Sequence, residues 1–273
     1  MDQNRMPLVE ALQQYRFERG LDETLNGASL AAYDLSEAEG LDDLHHAEGV
    51  IAEAQKLAAE TWKAKKTFFL VNGTTCGNEA MVLSSVKEGE KIIVPRNVHK
   101  SVLMGLILSG ATPVYVMPEY STKWQMWGGV TPETIEKAFA ETPDAKAVLL
   151  VSPTYYGLCS DLQAIAEICH CHNAALLVDE AHGSHLYFSE QLPLGALESG
   201  ADACAQSIHK TAGSFTQSSF LSLGSGRLDE ARVAANLQMV QSTSPSYLLM
   251  ASLDAARRGM ALHGKERMER ALE

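Results

Sequence analysis

A chain of 273 residues with 46% apolar side chains can bury a large core as one α/β domain. Its formal net charge of −12 argues against nucleic acid or an anionic membrane as partner, because neither polyanion is drawn to an acidic surface; it slightly favours a cationic ligand, although solubility alone explains it. Met1 to Gly20 mixes charges where a leader would be apolar, no run reaches membrane-spanning length, and the five cysteines are odd in number and scattered, so the sequence predicts a cytoplasmic chain with reduced thiols.

In chain order, the periodicity predicts a helix over 50–64 and a strand over 67–71 that runs into the small-residue stretch Asn72-Gly73-Thr74-Thr75-Cys76-Gly77, read as a turn before a helix over 78–86. A strand over 91–94, a helix over 99–109 and a strand over 112–116 follow. The stretch 118–129, with Trp124 and Trp127, has no clear period and is expected to loop over the surface or a subunit contact. Thr131 caps a helix over 132–141 with Pro132 at its first position. Next come strand 147–151, helix 161–172 and strands 175–178, 203–206 and 220–223, then an amphipathic helical pattern over 260–273. Strands alternating with helices predict a mostly parallel central sheet with helices on both faces. Cys169-His170-Cys171-His172 falls inside a predicted helix, where residues two apart do not share a face, so no metal is expected there.

Three stations on this frame carry chemistry. Lys210 stands in Ser207-Ile208-His209-Lys210-Thr211-Ala212-Gly213, an apolar stretch followed by small and hydroxylated residues, which suits an amine that attacks a carbonyl to form a Schiff base. Ser207 and His209 beside it are donors for a phosphate. Asp179 ends the apolar run Ala174-Ala175-Leu176-Leu177-Val178 and so sits at the C-terminal edge of a buried parallel strand, where ligands of open α/β sheets collect. Upstream, strand, turn and helix start around Thr74, Thr75 and Cys76 form an anion cradle of backbone N–H groups. An amine, a phosphate cradle and a carboxylate to keep a pyridine nitrogen protonated together suggest pyridoxal 5'-phosphate.

The stretch Ala205 to Ser219 resembles the cofactor-attachment pattern of the bacterial Orn/Lys/Arg decarboxylases at Ala205, Ser207, His209-Lys210, Gly213, Thr216-Gln217 and Ser218-Ser219. Four further segments are similar to the same family: Asn72-Gly73-Thr74-Thr75, Val94 to Ser101, Ser152-Pro153-Thr154-Tyr155-Tyr156-Gly157, and Asp179-Glu180-Ala181-His182-Gly183. The likeness runs from about Leu41 to the C-terminus. It implies the three-layer αβα large domain of fold-type I pyridoxal-phosphate enzymes and decarboxylation of arginine, lysine or ornithine to a polyamine precursor. By resemblance, Lys210 holds the cofactor, Asp179 pairs with its ring nitrogen, His99 stacks on the ring, Ala181 packs beneath it and His182 donates to the 3' oxygen. Thr74, Thr75, Cys76, Ser207 and His209 would hold the phosphate, and Ser152 and Thr154 would line the substrate side. No chemistry is assigned to His45-His46. A homodimer or higher homo-oligomer is implied, since enzymes of this fold build the site at a subunit interface.

Both ends depart from the family pattern. Arg19-Gly20-Leu21-Asp22 passes into Asn26-Gly27 without the usual Pro-Gly-His-Lys segment, which makes residues 1–40 a shortened helical arm before a large domain over 41–273. The family's small C-terminal domain would follow the last helix and is absent from this sequence, so the chain is expected to bind cofactor but decarboxylate poorly. Two other readings stay open. Asp179-Glu180-Ala181-His182 is also similar to the α-oxoamine synthases, and the missing segments fit a cofactor-binding remnant without turnover.

Overall fold

The computed structural model describes residues 1–18 and 33–273; the junction around Asn26-Gly27, where a segment is expected to be missing, lies outside them. Nine strands occur among the described residues: β1 (Lys66–Leu70), β2 (Lys91–Pro95), β3 (Thr112–Val116), β4 (Tyr120–Ser121), β5 (Met126–Trp127), β6 (Ala147–Val151), β7 (Ala175–Asp179), β8 (Ala203–Gln206) and β9 (Ser219–Leu223). Seven of them form one sheet in the order β1-β9-β8-β7-β6-β2-β3. Every neighbouring pair is parallel except the two that β9 makes, with β1 and with β8. The fold is therefore the expected mostly parallel α/β sheet. Within the unpatterned stretch, β4 and β5 pair as a two-stranded ribbon beside the sheet, and Trp124 and Trp127 are exposed on it.

Side-chain alternation along the strands sorts the helices into two layers. Ala147 and Leu149 of β6, with Ala175 and Leu177 of β7, pack in one core with residues of α3 (Gly73–Ser85), α4 (Lys100–Ser109) and α8 (Glu230–Val240). Val148, Leu150, Leu176 and Val178 point the other way, into a core shared with α5 (Pro132–Glu141) and α6 (Leu162–Cys171). At the β1 end of the sheet, that second face is covered by α1 (Pro7–Glu18), α2 (Val50–Thr61) and α9 (Tyr247–Leu272), around Trp62, Phe69 and Phe220.

Two helices start earlier than their sequence pattern. In α3 the run Gly73-Thr74-Thr75-Cys76-Gly77 is the first helical turn and not a turn before the helix. Packing overrides its poor helix propensity: a Cβ on Gly77 would lie 2.8 Å from Leu70 Cδ1 and 3.1 Å from Ala205 Cβ, so only glycine lets the helix settle this close to β1 and β8. The last helix begins at Tyr247 under a Ser246 cap, and its first half buries Tyr247, Met250, Leu253, Asp254 and Arg257. Burial around much of the circumference leaves no amphipathic stripe to read in that half. The sequence pattern over α8 is too weak to predict a helix there.

Candidate active site

Alternation also decides which side chains meet at the sheet edge. Counting on from Leu177, Asp179 at the end of β7 faces the α3 layer, and so does Ser207 one step past β8. Both arrive beneath the start of α3. Thr74 Oγ1 lies 2.6 Å from Ser207 Oγ and donates to Ser219 Oγ at 3.1 Å, so a buried knot of hydroxyls ties the helix start to β8 and β9. The N–H groups of Gly73, Thr74 and Thr75 have no intrahelical partner and carry the positive end of the helix dipole. With Asn72 as N-cap, the first helical N–H with a carbonyl to bond is that of Cys76, four residues on.

These groups line a cavity of about 430 Å³ together with His99, Ala181, His182, His209 and Lys210. Lys210 follows Ile208 and His209 on the single turn α7 (Ile208–Thr211), and its Nζ lies 3.2 Å from His182 Nε2. The apolar stretch around it does not bury the amine: Ile208 goes into the core and Lys210 is exposed in the cavity. Desolvation first, and the nearby Lys210 charge second, lower the pKa of His182, so this ring is an uncharged neighbour of the amine. Tyr155 stands edge-on to His182 with ring centroids 5.6 Å apart. His209 Nδ1 donates to the Ser218 carbonyl at 2.8 Å, which fixes a proton on Nδ1.

Asp179 is buried. Its Oδ2 accepts from Asn78 Nδ2 at 2.7 Å and its Oδ1 from the Ala181 N–H at 3.2 Å. Burial pushes this carboxyl above the ordinary aspartate range against the pull of both bonds and of the Lys210 charge. Asn78, one turn beyond Thr74 on α3, gives its second N–H to Ser101 Oγ at 2.9 Å. Ser101 Oγ lies 2.8 Å from His99 Nδ1, and the Ser101 N–H donates to that same nitrogen at 3.2 Å, making His99 the N-cap of α4.

Other expected residues lie elsewhere. The thiol of Cys76 donates to the Gly73 carbonyl, and burial raises it to about 12; neither it nor its spent N–H faces the cavity. The hydroxyls of Ser152 and Thr154 accept from Ser160 and Leu158 N–H within their own turn, and Tyr155 lines the cavity instead. His45 meets the Ser242 carbonyl and His46 meets Asp43, both away from the cavity. In α6, His170 bonds Asp202, His172 stacks on Phe139, Cys169 is buried and Cys171 exposed, so the four residues disperse. Sequence reasoning missed Asn78, Asn97, Tyr155 and Gln217 in the lining. For Asn78 a signal existed: four residues from Thr74, it shares the helix face that looks into the site.

The donor set fits a phosphorylated pyridine aldehyde: free helix N–H groups for the phosphate, a buried carboxylate with no ion-pair partner among the described residues, and a primary amine in one cavity of ligand size. Comparison with known proteins points the same way. A family described as Orn/Lys/Arg decarboxylase, major domain, matches residues 23–273. An arginine decarboxylase of Halalkalibacterium halodurans is 48% identical over 240 residues, covering 88% of this chain and 49% of that protein. One from Bacillus subtilis is 42% identical over 273 residues, covering 99% and 56%. The chain thus spans about half the length of the curated relatives it matches. Among solved structures, lysine decarboxylase A from Pseudomonas aeruginosa superposes with a TM-score of 0.77 at 28% identity, over 87% of this chain and 35% of that one.

Proposed function

Because the chain belongs to the Orn/Lys/Arg decarboxylase family, we propose that it binds pyridoxal 5'-phosphate and removes the α-carboxylate of a basic amino acid: arginine, lysine or ornithine. The observation that carries this reading is the convergence of Lys210, Asp179 and the free N-terminus of α3 on one cavity. Such a reaction breaks the bond from Cα to the carboxylate, releases carbon dioxide and returns a proton to Cα. The bound cofactor supplies a sink for the electron pair left behind.

The chain's own residues hold and orient. The Lys210 amine would hold the cofactor through its aldehyde carbon, whose oxygen leaves as water, and uncharged His182 stands beside Nζ to exchange a proton with it. Asp179 would keep a proton on the ring nitrogen, and that cation would offset the burial of its carboxylate. The N–H groups of Gly73, Thr74 and Thr75, with Ser207 and His209, would hold the phosphate, and Ala181 and His99, which line the same cavity, would face the ring. The acidic surface, net −12, favours a substrate with a cationic tail.

A homodimer is part of the same proposal. Directly after His99, helix α4 exposes Leu103, Met104, Ile107 and Leu108, with Ile107 at 71% of full exposure, an apolar face that a second copy would cover beside the site. Among the described residues no helix is long and apolar enough to cross a membrane, and the five cysteines form no disulfide; we place the chain in the cytoplasm.

A visible spectrum with added pyridoxal phosphate, then borohydride reduction, peptide mapping and carbon dioxide release from the three amino acids, tests the reading. A pyridoxyl group on Lys210 with release from at least one substrate is expected. A label on Lys100 or another lysine would overturn the assignment, and product formed only with acyl-CoA would favour the α-oxoamine synthase reading.

A further inference from the structure

The hydrogen bonds around Asp179 form a chain whose direction can be read atom by atom. Asn78 donates both N–H groups of its amide, one to Asp179 Oδ2 and one to Ser101 Oγ. Its Oδ1 is buried without a partner, so the amide is turned by its donor end alone, as a facing carboxylate requires. Ser101, wholly buried, has accepted from Asn78, and its own hydroxyl proton is left for His99 Nδ1 at 2.8 Å. That nitrogen already accepts the Ser101 backbone N–H, so it carries a lone pair and no proton.

We infer that Asn78 and Ser101 are positioning residues which carry the orientation set by Asp179 to His99 and lock its ring in a single tautomer, with the proton on Nε2. Neither belongs to the set of groups expected to hold the cofactor. Each acts through another residue: Asn78 bonds Asp179 but not His99, and Ser101 bonds His99 at Nδ1 without lining the cavity. An Nε2–H ring is uncharged, and its face can lie against a cationic pyridine, where an imidazolium would repel it. The same two side chains therefore couple the group that holds the ring nitrogen to the group that covers the ring face. The value of the lock for turnover rests on the proposed pyridoxal-phosphate chemistry; the lock itself does not.

The test uses the cofactor-free chain, so that its failure and the failure of the cofactor reading are distinguishable. With histidine labelled with nitrogen-15, long-range proton–nitrogen correlation spectra at about pH 8 distinguish the two neutral tautomers. The His99 signals are those lost in His99→Asn, which keeps a capping side chain. The unaltered chain should show a pure Nε2–H pattern for His99. In Ser101→Ala and in Asn78→Leu that pattern should give way to an average of both tautomers, while Ser101→Thr, which keeps the hydroxyl, should restore it. An Nδ1–H or averaged His99 in the unaltered chain would overturn the inference, and this measurement decides the matter even where a variant fails to fold. Retention of the pure pattern in folded Ser101→Ala and Asn78→Leu would also overturn it, since the backbone N–H would then suffice.

Discussion

Glu180, next to Asp179 but on the opposite face of the sheet, allows an energetic test of the floor of the site. It is wholly buried, with Oε1 accepting the Ala196 N–H at 2.7 Å and Oε2 accepting the Tyr187 hydroxyl at 2.9 Å and Gln206 Nε2 at 2.8 Å. All three bonds favour the carboxylate, yet burial outweighs them and raises the group from 4.5 to about 7. Between those two values the unfolded chain has released the proton and the folded chain still holds it, so stability is complete below the unfolded value and falls as pH rises through the folded one. At 1.36 kcal/mol per pKa unit the loss amounts to about 3 kcal/mol. Glu180→Gln removes the titration. Its amide can be accommodated, because Tyr187 has an oxygen to offer and the unpartnered Gln206 Oε1 can swing in to accept when that side chain flips. Urea midpoints of both chains, taken from about pH 5 to about pH 8.5, should diverge by about 3 kcal/mol in favour of the variant at the alkaline end. Groups other than Glu180 cancel in the difference. A gap that stays constant with pH, or one that moves in favour of the native chain as pH rises, would show that the three donors prevail over burial.

Asp179→Asn should keep measurable cofactor binding while carbon dioxide release falls on the order of a hundredfold or more, because an amide cannot hold a ring nitrogen protonated; near-normal turnover would remove Asp179 from the role. Gly77→Val should lower stability by about 1–3 kcal/mol through overpacking against Leu70 and Ala205, and should weaken pyridoxal-phosphate binding by lifting the start of α3 off the sheet. An unchanged melting temperature with unchanged affinity would refute that account. In light scattering the native chain should be a dimer and Ile107→Glu a monomer of the same helical content by circular dichroism; a native monomer would refute the proposed use of α4.

Much of this arrangement can be read from the period of two along the strands. From 175 to 179 and from 203 to 207 the alternation already places Asp179 and Ser207 on one face and Glu180 and Gln206 on the other, and the resemblance then says which face would carry the proposed cofactor. The start of α3 was misread because glycine and threonine favour turns locally, whereas the deciding contact, Gly77 against Ala205, joins residues far apart in the chain. Ser152 and Thr154 sat in a matching motif, but their hydroxyls stabilise the turn that presents Tyr155. The link from Asn78 through Ser101 to His99 depends on how α3 crosses α4, and no local pattern reports a crossing.

The antiparallel strand β9 has a consequence for the order in which the molecule can be made. Because it lies between β1 and β8, β1 keeps an open edge until β9 emerges, and Ser219, which closes the hydroxyl knot under the α3 start, comes 145 residues after Thr74. At ribosomal rates of about 5–20 residues per second the gap lasts roughly 7 to 30 seconds. By the end of that time the nascent chain holds the five parallel strands with β8 bare at their rim and β1 still unpaired, exposed edges of the kind most prone to pair with a neighbour. The cradle proposed for the phosphate is therefore among the last parts of the sheet edge to close, and the proposed cofactor would find it complete only when synthesis has passed β9.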